Sequence, residues 1–119
     1  ATDEIKFGDN DLLAAKVAKL VNADLLVVLS TIDGLYTSQE NIFSKKSGVL
    51  VTEVSKINAK IKKMAGEASY MGKGGMISKI EAAEICLKNN CVMVITSGNN
   101  KKPIRGLSKR KKSTWFIKK

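Results

Sequence analysis

The amino-acid sequence reads as an α/β domain, on three observations. Residues 25–29 and 92–95 are short apolar runs without polar alternation, the character of strands covered on both faces. Stretches of helical periodicity lie before and between them. Each run opens into a polar loop of Ser, Thr, Asp, Asn and Gly, the place where open α/β sheets collect ligands. The length agrees: 119 residues, 44% hydrophobic and 27% charged, suit one globular domain with a real core.

Taken in order, residues 11–21 have helical spacing, with Leu12, Leu13, Val17, Leu20 and Val21 on the inward side and Lys16 and Lys19 pointing away. Asp9 or Asp11 is placed to cap that helix, and Asn22-Ala23-Asp24 stops it. The strand at 25–29 follows, then Ser30-Thr31-Ile32-Asp33-Gly34, a loop with an Asp-Gly turn signal. Residues 37–52 are polar and irregular, with a short strand expected near Val49-Leu50-Val51. Val54, Ile57, Ile61 and Met64 recur at helical spacing, and Gly66 is expected to end that helix. After the loop Gly72-Lys73-Gly74-Gly75, residues 78–90 form the next helix, opened by Ser78 and Glu81 as an S-x-x-E capping box. The strand at 92–95 ends in Thr96-Ser97-Gly98-Asn99-Asn100, and Thr114-Trp115-Phe116-Ile117 is a last short strand. An open parallel sheet needs more strands than these. The first residues lead straight into Gly8-Asp9-Asn10-Asp11, so a preceding segment is expected to be missing.

Composition narrows the chemistry. With no His, His-ligated metal sites and His-based triads are excluded. Cys86 and Cys91 are five apart, neither a C-x-x-C pair nor half of a zinc site, and read as small buried hydrophobes in a reducing compartment. The polar, acidic N-terminus lacks an apolar signal region and no run approaches a bilayer span, so the expected location is the cytoplasm, away from membranes. The net charge of +10 divides unevenly: residues 101–119 hold nine Lys or Arg and no acid, and the rest is almost neutral. Basicity is thus a property of a loop, placed at residues 99–113, rather than of a face of the fold. Aromatic side chains are 5% of the chain, too few for base-stacking platforms, which disfavours nucleic acid as a partner.

Three constellations carry chemistry. Gly72-Lys73-Gly74-Gly75-Met76-Ile77-Ser78-Lys79 opens a helix. Glycines let backbone N–H groups approach a ligand, the helix N-terminus favours anions, and Lys73 and Lys79 add positive charge. It is neither a Walker A loop nor G-x-G-x-x-G, and a turn capped by Ser78 explains it equally well. Gly8-Asp9-Asn10-Asp11 clusters polar groups at a helix start, where they orient an ammonium group, approach Mg²⁺ or simply cap the helix. Ser30-Thr31 follows a buried strand, at the ligand-facing end or as an ordinary polar strand end.

In sequence order F-G-D-N-D, A-D-L-L-V-V-L-S-T-I-D-G-L-Y, M-A-G, G-K-G-G-M-I-S-K and S-T-W-F resemble the C-terminal half of the amino acid kinase family, and F-G-D-N-D favours its glutamate 5-kinase branch. The resemblance covers essentially all of residues 1–119. It implies a three-layer α/β/α sandwich, here its C-terminal, nucleotide-binding half with the N-terminal half absent. It implies phosphorylation of the γ-carboxylate of L-glutamate by ATP with Mg²⁺, giving glutamyl 5-phosphate, the first step towards proline. It also implies a homo-oligomer. Carried over by motif, Asn10 contacts glutamate with Asp9 beside it, and Asp11 orients the catalytic lysines. Ser30 and Thr31 line the nucleotide site. Lys73, Gly74, Gly75, Met76, Ile77, Ser78 and Lys79 wrap the phosphates, with Lys79 stabilising charge on the transferring group. Phosphoryl transfer needs mainly positioning and cationic neutralisation, so this inventory suffices without His or Cys.

The sequence departs from the family pattern at Lys73 and Ser78, where Thr is usual, at Ser30-Thr31 in place of Thr-Asp, and at Ser113 in place of Gly. Without the N-terminal half the fragment is expected to be inactive alone. Two other readings are another amino acid kinase, and a non-catalytic module that binds nucleotide, or nucleic acid through the basic loop including Lys109-Arg110-Lys111-Lys112.

Overall fold

The computed structural model describes residues 9–37, 48–70, 75–98 and 112–119, without the side chains of Asp9 and residues 67–70. Three helices and four strands follow in the order α1 (Asp9–Leu20), β1 (Leu25–Ser30), β2 (Glu53–Val54), α2 (Ala59–Tyr70), α3 (Met76–Lys88), β3 (Val92–Ser97) and β4 (Ser113–Phe116). The strands form one mixed sheet in the order β1-β3-β4-β2. β1 runs parallel to β3, from Leu25 opposite Val92 to Ser30 opposite Ser97. β4 runs antiparallel to β3 and parallel to β2. The fold is therefore mixed α/β, as the sequence indicates.

β3 is the central strand, and its apolar run is buried almost throughout because strands flank both edges and α3 packs on it. β1 differs from expectation. It is an edge of the described sheet, and Leu25 and Leu29 are exposed rather than covered. α1 differs in the same sense. Its buried residues are Ala15 and Ala18, while Leu13, Val17, Leu20 and Val21 point to solvent. Small side chains on the inner face let α1 approach α3 closely, against which it packs.

Two helix boundaries also differ. α2 starts at Ala59, where the Asn58 side chain accepts the Ile61 N–H at 3.0 Å, and it runs through Gly66 to Tyr70. Val54 belongs to β2 instead. α3 starts at Met76 rather than Ser78. Gly75, left-handed at φ 93°, is its N-cap and no side chain caps it, so the Ser78–Glu81 box does not form. Asp11 likewise lies inside α1, which begins at Asp9. Around Val49-Leu50-Val51 the chain makes only a bridge from Leu50 to Tyr36, flanked by Thr37 N–H to Val49 O and Val51 N–H to Leu35 O. Of the basic segment expected as a loop over 99–113, residues 99–111 lie outside the described residues; Lys112 is exposed and Ser113 already opens β4.

The turn after α3 fixes the geometry of the site. Cys91 N–H returns to Cys86 O at 2.9 Å, and Asn90 takes φ 56°. α3 therefore runs back along β3, which puts its first turn at the sheet end where β1 and β3 finish. Phe116, Leu35, Met76, Met93 and Ile95 fill the core between these elements.

Candidate functional site

The first turn of α3 carries a lysine that the fold takes out of solvent. Lys79 is 4% exposed, and its Nζ donates to Asp11 Oδ2 at 3.0 Å. Asp11 is in the first turn of α1, so the pair joins two helices that pack together. A desolvated ammonium requires a carboxylate or other acceptors, and Asp11 supplies one. Met76 and Ile80, on the same face of α3, are buried beside it in the core and hold the helix against the sheet.

The backbone adds donors at the same place. Gly75 O accepts the Lys79 N–H at 3.0 Å, the first bond of the helix. The N–H groups of Met76, Ile77 and Ser78 precede that bond and have no capping side chain. A cation and a bare helix N-terminus together can receive an anionic group, phosphate above all.

The parallel strands end beside this turn. Gly98 N–H donates to Ser30 O at 2.8 Å, continuing the β1–β3 pairing into the loops. Ser30 Oγ accepts the Ile32 N–H at 3.3 Å, while Thr31 is exposed. Asp33 accepts the Tyr36 hydroxyl at 3.3 Å. Burial, and then the neighbouring Asp33 carboxylate, push the Tyr36 hydroxyl above its ordinary pKa.

The structure thus brings Asp11 and Lys79 into contact and places Ser30 and Thr31 at the same end of the sheet. No hydrogen bond among the described residues joins the two groups. Gly75 and Ser78 stand at the helix start, Ile77 is exposed, and Met76 is buried, so that only its backbone faces a ligand. Asn10 is exposed. Lys73 and Gly74 lie outside the described residues, as does the Asp9 side chain.

Thr114 is a residue that the sequence did not single out for a role. It is fully buried on β4; its Oγ1 accepts the Leu35 N–H at 2.9 Å and donates to Val51 O at 2.6 Å. Gly34 packs directly on it: a Cβ there would overlap Thr114 Oγ1. The loop that leaves Ser30 is therefore pinned to β4. The only available signal was the closing S-T-W-F motif, in which nothing marks the hydroxyl as buried.

The two cysteines are free and buried, as their apolar setting indicates. Burial, and then Cys91, push the Cys86 thiol up to about 12, so it stays protonated and inert. Among the described residues no three His, Cys, Asp or Glu side chains gather to hold a metal, and no helix is long and apolar enough to cross a membrane.

Against known proteins, the amino acid kinase family matches residues 1–97. Glutamate 5-kinase of Pelagibacter ubique (strain HTCC1062) is 45% identical over 120 residues, which span all of this chain and 32% of that protein. Glutamate 5-kinase of Clostridium acetobutylicum is 48% identical over 119 residues, 98% of this chain and 44% of that protein. The chain thus spans less than half the length of these relatives. Among solved structures, UMP kinase from Ureaplasma parvum superposes with a TM-score of 0.56 at 16% identity, covering 93% of this chain and 43% of that one. A protein of Aeropyrum pernix K1 superposes with a TM-score of 0.57 at 22% identity, over 93% of this chain and 33% of that one. At these identities the two structures speak for the fold.

Proposed function

This chain belongs to the amino acid kinase family, and on that premise we propose that it is the nucleotide-binding part of an enzyme that transfers the γ-phosphoryl group of ATP to the γ-carboxylate of L-glutamate. The observation that carries the reading is the Lys79–Asp11 pair, 3.0 Å apart, at the uncapped start of α3. The choice of glutamate is supported by relatives named glutamate 5-kinase at 45% and 48% identity.

In this reading Lys79 neutralises the negative charge on the transferring phosphoryl group. Asp11 is a positioning residue: it holds the ammonium on one side so that its remaining N–H bonds face the phosphate. The N–H groups of Met76, Ile77 and Ser78 bind phosphate oxygens, and Ser30 and Thr31 line the nucleotide. Lys73 and Gly74 extend the phosphate loop, and Asn10, with Asp9, contacts glutamate. These groups share one task, to place acceptor and donor in line and to stabilise charge. The donor set suits magnesium that arrives on the triphosphate as part of the substrate, because Asp11 is committed to Lys79 through Oδ2 and no carboxylate cluster stands near it among the described residues.

The rest of such an enzyme, by the length of the relatives, is larger than this chain. Large apolar side chains exposed on α1 and β1 give it a surface to cover. The test is ADP formation by this chain joined to the remainder of the kinase, with glutamate, aspartate, acetylglutamate and UMP in parallel. Turnover with glutamate alone, abolished by Lys79→Ala, is the expected result. Turnover that survives Lys79→Ala overturns the site, and preference for another acceptor overturns the substrate.

A further inference from the structure

At the end of the sheet away from Lys79, the C-terminal ends of β2, α3 and β4 converge on an open groove of about 390 Å³. Ile57 and Leu87, both half-buried, supply apolar surface in it, and Lys56, Lys88, Lys118 and Lys119 stand around it. Lys88 is nine residues beyond Lys79 on α3, which separates the two sites by about 14 Å along the helix axis.

The charges of the groove are unbalanced. Lys119 is held by Glu53 at 2.8 Å, and Glu84, the one acid among the described residues that line the groove, lies 3.8 Å from Lys62. Lys56, in the loop after β2, Lys88, at the end of α3, and Lys118, just past β4, have no ion pair among the described residues. Four lysines against one glutamate give the opening a positive potential that an anion seated among them would meet. The volume is that of a small-molecule site, and such sites combine an apolar lining with a few converging polar groups.

We propose that this groove is a second binding site, separate from the phosphate site at Lys79, for a small organic anion: a phosphate or carboxylate with an apolar body. The anionic group lies among Lys56, Lys88 and Lys118, and the apolar body covers Ile57 and Leu87. The proposal stands independently of the reaction assigned to Lys79.

The test is calorimetric titration of the full chain with 1-naphthyl phosphate and, separately, with inorganic phosphate. Naphthyl phosphate is expected to bind saturably and more tightly than inorganic phosphate, which lacks the apolar body. Lys56→Gln with Lys88→Gln and Lys118→Gln is expected to weaken it about ten-fold or more, and Lys118→Gln alone to weaken it less. Lys79→Met separates the two sites and should leave this binding intact. The three Lys→Gln changes are on exposed side chains, whereas Lys79 is buried, and an unchanged circular dichroism spectrum verifies folding of each variant, Lys79→Met included. No saturable binding, equal affinity for the two probes, indifference to the triple change, or loss in Lys79→Met would each overturn the proposal.

Discussion

Replacing Thr114 by Val tests whether one buried hydroxyl holds the loop beyond β1. Val keeps the shape and removes the oxygen. The Leu35 N–H, on a residue with no solvent exposure, then loses its acceptor, and Val51 O loses its donor. Each orphaned group costs about 1–3 kcal/mol, so the pair costs about 2–6 kcal/mol, a large share of a typical domain's stability. Thr114→Ser retains the oxygen and gives up one methyl group, which costs about 0.8 kcal/mol. The difference between the two variants isolates the hydroxyl. Urea unfolding followed by fluorescence reads it directly, because the single Trp is Trp115, the next residue on β4. The midpoint should fall in the order wild type, Ser, Val, with an unchanged slope. Amide exchange at Leu35 should accelerate in Val and stay near wild type in Ser. Equal losses for Ser and Val, or an unchanged Leu35 exchange rate, would refute the account.

Asp11→Asn strands the Lys79 ammonium in a site with 4% exposure and should cost about 3 kcal/mol in chemical denaturation. Lys79→Met should cost less, because Asp11 keeps more contact with water, and the double change should cost less than the sum. Gly66→Ala should stabilise by about 0.5–1 kcal/mol in thermal unfolding, since Gly66 lies inside α2 and a Cβ there meets nothing within 4 Å. Cys86, its thiol raised to about 12, should resist iodoacetamide at pH 8 until the chain unfolds. A thiol raised by folding contributes stability that is fully present below the ordinary thiol pKa of about 8.5 and is lost as pH rises from there towards the folded value, so alkaline titration should show declining stability across that window. The isolated chain is expected to self-associate in sedimentation through the exposed apolar side chains of α1, and Leu20→Lys with Val21→Lys to reduce that association.

Why some elements were legible and others not follows from what periodicity reports. The run at Val92–Ser97 reads as a covered strand because it is one: β1 and β4 flank it, and its side chains are buried. The same reasoning applied to β1 found the strand but mistook its surroundings, since an apolar run records that a side chain favours burial and not that a neighbour is present in this chain. α1 shows the point more sharply. Hydrophobic spacing weights bulk, so Leu13, Val17 and Leu20 looked inward, whereas the close packing on α3 is made by Ala15 and Ala18. Gly66 did not end α2, because one glycine costs a helix only about 1 kcal/mol and Ile61, Met64 and Ala65, buried in the turns before it, anchor the helix. Ser78 and Glu81 matched a capping pattern, but Gly75 in the left-handed region starts α3 earlier and leaves Ser78 inside it.

The candidate site divides along the same line. Lys79 was legible as a local motif, a lysine just after a glycine-rich turn. Its partner Asp11 is 68 residues away, and no spacing rule reaches that far: the family resemblance alone assigns Asp11 to the catalytic lysines, and the pair exists because α1 and α3 pack together and because a lysine removed from water needs an acceptor. Thr114 is 79 residues from Leu35, and here no motif assigns the hydroxyl a role either. Both are buried polar groups whose partners the tertiary fold supplies. They are also where the fold meets the proposed chemistry, since one fixes an ammonium at the start of α3 and the other fixes the loop that leaves Ser30. A substitution that leaves every helix and strand intact can therefore displace the site, and the Ser and Val variants of Thr114 separate that effect from loss of the fold.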